Sequence, residues 1–145
     1  MIRVFEPRLS IRNQLSLILN LKKNEISGTS DIVTKFEEDL AKYFERKYAI
    51  ALSNGTVALE LAIKVLDLKK DDEVIIPSFT IISCLSAVVR SQATPVFCDV
   101  DPESWNMTLE NIKKVTTKKT KAVLMVHTYG LPSPASKIEE YCKEN

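Results

Sequence analysis

Short, continuous apolar runs alternate with segments of helical periodicity along most of the chain, and this alternation most constrains the fold. The runs predict strands at residues 48–52, 73–77, 94–99 and 121–126. The segments between and beside them repeat apolar residues every three to four positions and predict helices at about 30–46, 57–68, 81–91, 109–115 and 134–143. Strands that are apolar throughout are typical of a parallel sheet covered on both faces. The sequence therefore predicts a three-layer α/β/α fold, in which a mostly parallel sheet lies between two layers of helices.

The first 29 residues do not follow this alternation. Apolar residues at 15–21 predict a short helix, and residues 24–29 predict a loop. The chain has 145 residues, about the length of one domain. We therefore divide it into an N-terminal helix and loop, residues 1–29, and an α/β part, residues 30–145.

Charge and composition exclude several classes of function. The net charge is +1 and no predicted helix carries a basic stripe, so nucleic-acid binding is not expected. One histidine and three dispersed cysteines (Cys84, Cys98 and Cys142) give no metal-ligand pair, so no metal site is expected. The scattered thiols indicate a reducing compartment, and we expect a cytoplasmic protein. No signal core and no apolar run of about 18–20 residues is present, so no membrane span is predicted.

A polar turn, Ser53-Asn54-Gly55-Thr56, joins the predicted strand 48–52 to the helix after it. Ligands of open parallel sheets bind outside the carboxyl ends of the strands. A helix that begins there offers backbone N–H groups and the positive end of its dipole, which suit a phosphate. Gly55 would let the anion approach the backbone, and the Thr56 hydroxyl would donate a further hydrogen bond. The alternative is that Ser53 and Asn54 only cap the helix.

Three further residues carry functional groups with two possible roles each. His127 follows the last predicted strand and is either catalytic or a hydrogen-bonded structural residue, the second being favoured. Asp99 and Asp101 are either an acid–base or metal pair, or residues that cap and turn their loop. The turn interpretation is favoured for both aspartates.

Five segments, taken together, resemble the DegT/DnrJ/EryC1/StrS family of sugar-nucleotide aminotransferases, which are fold-type I pyridoxal-phosphate enzymes. They are FEEDLAKYF, SNGTVALELAI, DDEVIIPSFT, ATPVFCDVDPESWNM and KTKAVLMVHTYGLP, in the order and spacing of the family, over about residues 26–140. The ESWNM and VHTYG stretches are most similar to the GDP-perosamine synthase branch. The resemblance implies a pyridoxal 5′-phosphate cofactor, a sugar nucleotide and glutamate as substrates, and a homodimer.

The resemblance also implies roles for residues of the polar turn and of the stretch PSFTI. Asn54, Gly55 and Thr56 would hold the cofactor phosphate. Ile81 would cover the face of the pyridine ring, where family members usually carry an aromatic residue. An aliphatic side chain loses a stacking contribution of about 0.5–1.5 kcal/mol. The alternative for Ile81 is a core residue at the start of a helix.

Thr80 and Ser83 flank Ile81 and either line the cofactor site or cap the helix. Ser27, Gly28 and Thr29 match a family loop beside the sugar nucleotide, often at a dimer interface. Both assignments follow from the resemblance alone.

The family's Schiff-base lysine, and the aspartate that pairs with the ring nitrogen, are expected beyond Asn145. No catalytic residue is therefore assigned in this chain, and we expect the chain alone to be inactive, as the N-terminal part of a cofactor-binding large domain. The alternatives are part of a sugar dehydratase of the same fold, or a non-catalytic remnant or partner of a full-length paralogue.

Overall fold

A computed structural model describes residues 6–145, which form two compact units that divide between Ala51 and Leu52. The first five residues of the segment 1–29 lie outside the described residues. The first unit holds α1 (Ile11–Lys22) and α2 (Asp31–Tyr43). The second unit holds α3 (Gly55–Val65), β1 (Glu73–Pro77), α4 (Ile82–Arg90), β2 (Thr94–Cys98), α5 (Leu109–Val115), β3 (Thr120–Val123), a 3-10 turn (Thr128–Gly130) and α6 (Ala135–Glu144).

The sheet of the second unit is parallel, and its strand order is β2-β1-β3. Val74 of β1 pairs with Pro95 on one side and Ala122 on the other. Just past β3, Leu124 N–H still donates to the carbonyl of Ile75 at 2.8 Å. Because β1 is central and every neighbour runs parallel to it, the three strands end at one edge of the sheet.

Alternate residues of β1 pack into two different hydrophobic clusters. Val74 and Ile76 pack with Ile63 of α3 and Val88 of α4. Ile75 packs on the opposite face, in a second cluster with Cys98, Met107, Ile112 of α5 and Ile138 of α6. Helices therefore cover both faces of the sheet, which confirms the three-layer α/β prediction.

The predicted strand at residues 48–52 does not form, and this prediction was wrong. Tyr48 and Ile50 are exposed, and the N–H of Ala51 donates to a carboxylate oxygen of Glu37 at 2.7 Å instead of to a neighbouring strand. An apolar run becomes a strand only when another strand offers a ladder. The described sheet has β2 and β3 at its edges, and neither pairs with this segment.

The other elements lie within a few residues of their predicted bounds. Thr108 caps α5, because its side chain accepts from the N–H of Asn111 at 3.2 Å. Ser30 stands at the N-cap of α2, but its hydroxyl donates to the carbonyl of Ser27 at 2.7 Å and makes no cap bond. α1 is longer than predicted, at 12 residues, and is capped by Ser10.

No helix within residues 6–145 combines the length and apolarity needed to cross a bilayer.

All three thiols are free, as predicted, and two of them are buried, Cys84 and Cys98. Burial raises the pKa of the Cys98 thiol from 9.0 to about 11, and the nearby Asp99 carboxylate adds to the rise. The buried thiol therefore stays protonated at neutral pH and serves as a small apolar core residue.

We expect Ile75→Ala to lower the free energy of unfolding by about 2–5 kcal/mol, because it opens a cavity at a fully buried position of the central strand. Ile82→Ala, at an exposed position of α4, is the matched control and should change it by less than about 0.5 kcal/mol. Urea unfolding followed by circular dichroism measures both. Equal effects of the two substitutions would contradict the packing described for β1.

Candidate functional site

The N-terminus of α3 has the geometry of an anion site. Asn54 is the N-cap, and its side-chain oxygen accepts from the N–H of Val57 at 3.0 Å. The N–H groups of Gly55 and Thr56, at the first two helical positions, have no partner within the helix. A Cβ built on Gly55 would meet nothing within 4 Å, so the space beside the Gly55 backbone is open. Asn54 therefore caps the helix, as the simpler interpretation held, and the first two N–H groups of the helix remain without an intrahelical partner.

A hydrogen bond between two hydroxyls joins α3 to α4. Thr56 Oγ1 and Ser83 Oγ are 2.8 Å apart, and both side chains are half-buried. Either oxygen can be the donor. Two of the predicted cofactor residues, distant in sequence, are thus brought together next to the open space at Gly55.

The stretch before α4 places Ile81 at the N-cap, where its side chain is 67% exposed. The alternative of a core residue is therefore wrong. Thr80 precedes it, and the Thr80 hydroxyl lies 3.3 Å from the sulfur of Cys84. Neither residue caps α4 through its side chain, since the helix has no side-chain cap bond.

Asp101 turns the loop after β2. One of its carboxylate oxygens accepts from the N–H of Ser104 at 2.8 Å, from its hydroxyl at 2.9 Å and from the N–H of Glu103 at 3.1 Å. The bonds from Ser104 hold the pKa of Asp101 below its usual value. Asp99 also bonds locally, to the N–H of Val100 at 2.8 Å. Both aspartates are turn residues, as the sequence favoured.

His127 is a hydrogen-bonded residue, also as favoured. Its Nδ1 accepts from the N–H of Ser133 at 2.9 Å, and the Ser133 hydroxyl donates to the carbonyl of Val126 at 2.6 Å. Because Nδ1 is an acceptor, the proton of the neutral ring lies on Nε2. The ring therefore presents an N–H donor on its other side.

The predicted substrate loop lies in the first unit. Ser27 Oγ is 2.9 Å from Thr29 Oγ1 and accepts from the N–H of Thr29 at 3.2 Å. All three residues of the loop, Ser27, Gly28 and Thr29, are exposed. The loop is thus held by its own hydroxyls.

The family model described as "DegT/DnrJ/EryC1/StrS aminotransferase family" matches residues 11–145. The chain belongs to this family. It is 35% identical over 145 residues to the GDP-perosamine synthase of Vibrio cholerae, covering 100% of this chain and 40% of that protein. The chain thus spans about two fifths of the length of the curated relatives it matches.

Solved structures agree with the family assignment. The aminotransferase from Psychrobacter cryohalolentis superposes with a TM-score of 0.88 at 36% identity, over 95% of this chain and 35% of that one. A GDP-4-keto-6-deoxymannose-3-dehydratase with a trapped PLP–glutamate geminal diamine superposes with a TM-score of 0.79 at 28% identity, over 88% and 34%. The fold is therefore that of the fold-type I pyridoxal-phosphate enzymes, as predicted.

Sequence reasoning missed Asn106, which is buried and ties two loops of this family member together. Its side-chain nitrogen donates to the carbonyl of Leu131 at 3.0 Å, and its oxygen accepts from the N–H of Thr128 at 2.9 Å. The loop after β2 is thereby fixed to the loop after β3. The only sequence signal was an asparagine between apolar neighbours, which does not by itself distinguish a buried loop tie from a surface residue.

The same reasoning missed a row of aromatic side chains at this edge of the sheet. Trp105 contacts Phe79 and Tyr129 edge to face, with ring centroids 5.3 and 5.9 Å apart. The three residues follow β2, β1 and β3. They meet only because the three strands end together, and no spacing in the sequence reveals this.

We expect Asn106→Ala to lower the free energy of unfolding by about 1–3 kcal/mol, because it removes both hydrogen bonds of a buried side chain, the one to the Leu131 carbonyl and the one from the Thr128 N–H. Asn13→Ala, at an exposed position of α1, is the control and should have a much smaller effect. Urea titration measures the loss, and hydrogen exchange at the Thr128 N–H locates it. An unchanged hydrogen-exchange rate at the Thr128 N–H would contradict the proposed role of Asn106 in joining the two loops.

Proposed function

We propose that this chain is the N-terminal part of the cofactor-binding domain of a pyridoxal-phosphate aminotransferase that acts on a keto-deoxy sugar nucleotide. Glutamate is the proposed amino donor, and a homodimer is the proposed assembly. The observation that carries the proposal is the open, donor-lined N-terminus of α3 in a chain of this family. The named functions of the relatives and the PLP–glutamate complex of one of them support it.

The cofactor phosphate would be held at the start of α3. Gly55 and Thr56 contribute two backbone N–H groups, Thr56 adds its hydroxyl, and the helix dipole favours a dianion there. Asn54 occupies the third N–H of the turn, that of Val57, so the donors left over face the ligand. The donor set is neutral and directional, which suits a phosphate and no metal ion.

Ser83 would act as a positioning residue in this arrangement. When Thr56 donates its hydroxyl hydrogen to the phosphate, its oxygen accepts from Ser83, 2.8 Å away. The pair then forms a short chain of donors directed at the anion, in which each bond polarises the next. Thr80 lies one residue before Ile81 and is proposed to line the same site.

Bound pyridoxal phosphate supplies an electron sink for the carbanion that forms during amino transfer. Ile81, exposed at the N-cap of α4, would cover one face of its ring and keep water away from it. The catalytic lysine is assigned to none of the lysines of this chain. Ser27, Gly28 and Thr29 are proposed to contact the sugar nucleotide.

A sugar dehydratase is a second candidate, favoured by the likeness to GDP-4-keto-6-deoxymannose-3-dehydratase. Both reactions use the same phosphate cradle, so the cradle does not distinguish them. The products do: a protein carrying this domain and its lysine should turn glutamate nitrogen into sugar-bound amine. Loss of a sugar hydroxyl with no nitrogen gained would favour the dehydratase. Nitrogen-15 NMR of the product separates the two.

We expect Thr56→Val to weaken binding of pyridoxamine phosphate to this chain by about tenfold, because a hydrogen bond to a charged group is lost. Pyridoxamine phosphate lacks the aldehyde and so does not react with lysines. Calorimetric titration measures the affinity.

The control for this substitution is Thr34→Val, on the exposed surface of α2 in the other unit, which should leave the affinity unchanged. Pyridoxamine without its phosphate should bind far more weakly than the phosphate ester. Equal binding of the two compounds would overturn the assignment of the cradle.

We expect Ile81→Phe to tighten the binding of pyridoxamine phosphate by about two- to tenfold, since an aromatic ring adds a stacking contribution. Ile82→Phe, one residue along and also exposed, is the matched control and should not change the affinity. The same titration measures both. A gain at residue 82 and none at residue 81 would show that the wrong side chain has been placed over the ring.

A further inference from the structure

Asn54 is the only asparagine of the chain that is followed by a glycine. This pair of residues has a chemistry of its own, because the backbone nitrogen after an asparagine can attack the carbon of the side-chain amide. Glycine hinders the attack least, since it places no side chain beside the attacking nitrogen. Asparagine is among the thermally labile residues of proteins, and Asn54 stands in the most reactive sequence context that this chain contains.

The structure leaves the bond between Asn54 and Gly55 accessible. Both residues are exposed, so water reaches them. The Gly55 N–H is at the first helical position of α3 and has no partner within the helix. A Cβ built on Gly55 would meet nothing within 4 Å, so the space beside its backbone is open. Neither the helix nor a neighbouring side chain therefore protects the attacking nitrogen.

Two hydrogen bonds restrain the side chain that would be attacked. The Asn54 oxygen accepts from the N–H of Val57 at 3.0 Å, and the Asn54 nitrogen donates to the hydroxyl of Ser53 at 3.3 Å. Both bonds are exposed and join residues no more than three positions apart. Fraying at a helix end breaks such bonds at little cost in free energy and without unfolding the domain. Reaction at Asn54 therefore needs only a local opening.

We propose that Asn54 deamidates in the folded chain while the start of α3 is unoccupied, and that the change removes the ability of this helix start to hold a phosphate. The Gly55 nitrogen forms a bond to Cγ of Asn54 and gives up its proton, which leaves with Nδ2 as ammonia. Water then opens the cyclic imide. Cleavage of the new bond at Cγ gives aspartate, and cleavage of the bond to the main-chain carbonyl carbon gives isoaspartate.

Either product would alter the proposed phosphate site. Aspartate caps a helix as well as asparagine does, and its charge is favoured at a helix N-terminus, so α3 remains. The same charge repels a phosphate dianion held by the N–H groups of Gly55 and Thr56. Isoaspartate adds a carbon to the main chain and displaces the Gly55 N–H.

This inference rests on the proposed function and adds a regulation to it, because the phosphate at this place is the cofactor's. A phosphate that accepts from the Gly55 N–H keeps the proton on the attacking nitrogen. Occupancy would therefore protect the site, whereas an unoccupied site would lose its affinity slowly and irreversibly.

Peptide mapping by mass spectrometry tests the reaction itself. After incubation of the folded chain at mildly alkaline pH, we expect the mass gain of an amide-to-acid exchange, with some isoaspartate, in the peptide that contains Asn54. Gly55→Ala should remove this gain, and alanine fits there because Gly55 has no positive φ and open space beside it. The internal controls are the asparagines followed by larger residues, which should change far less: Asn13, Asn20, Asn24, Asn106 and Asn111.

Protection by a ligand is measured in the same way. Pyridoxamine phosphate at about ten times its dissociation constant should slow the mass gain about tenfold, because only unoccupied chains react. Pyridoxamine without its phosphate, at the same concentration, should not slow it.

Asn54→Asp reproduces one product. We expect it to keep the urea midpoint but to bind pyridoxamine phosphate about tenfold or more weakly than Asn54→Ser, which is a neutral cap. Thr108→Asp places the same charge at the N-cap of α5 and should leave the affinity unchanged.

Several results would overturn the proposal. They are a mass gain at Asn54 no larger than at the other asparagines, a gain that appears only in urea, an equal rate with and without bound pyridoxamine phosphate, or equal affinities of Asn54→Asp and Asn54→Ser. If the unmodified chain binds no pyridoxamine phosphate, the proposed function and the loss of affinity fail together. The mass gain at Asn54 is read without any ligand, so the two failures are distinguishable.

Discussion

Burial of β1 on both faces is the constraint on which the rest of the second unit depends. Val74, Ile75 and Ile76 are consecutive and fully buried, so each side chain must be covered by helices from its own face. Only a parallel arrangement of β2 and β3, with helical connections, supplies that cover. The same arrangement makes the chain leave all three strands at one edge. Polar and aromatic groups distant in sequence meet there as a consequence of packing.

The two sides of that edge differ in chemistry. At the start of α3 the donors are backbone N–H groups and the paired hydroxyls of Thr56 and Ser83, which favour an anion. In the loop that carries Trp105, the carboxylate of Asp101 accepts from the N–H and the hydroxyl of Ser104, and these bonds hold its pKa low.

Most of the fold follows from the sequence, because periodicity and capping are local. Thr108 and Asn54 cap the helices they precede, and the apolar runs at β1 and β2 are strands. The strand predicted at residues 48–52 does not form, because a strand needs a neighbouring strand to pair with, and the local sequence pattern does not show whether one is available. The residues proposed to hold the cofactor phosphate come from the resemblance and not from local pattern. Asn106 and the aromatic row were missed because they depend on which loops the sheet brings together.

Ile81 stands where family members usually carry an aromatic residue, and this difference changes which contacts would supply the cofactor affinity in the proposed site. Stacking by an aromatic residue contributes about 0.5–1.5 kcal/mol, whereas a hydrogen bond to a charged group contributes about 1.5–3 kcal/mol. In the proposed site, three donors at Gly55 and Thr56 would outweigh the loss at the ring. Ile81 would exclude water from the ring face without fixing the tilt of the ring. The phosphate end would then set the orientation of the cofactor, so that the 2.8 Å bond between Thr56 and Ser83 would matter more than in a site with a stacked aromatic residue.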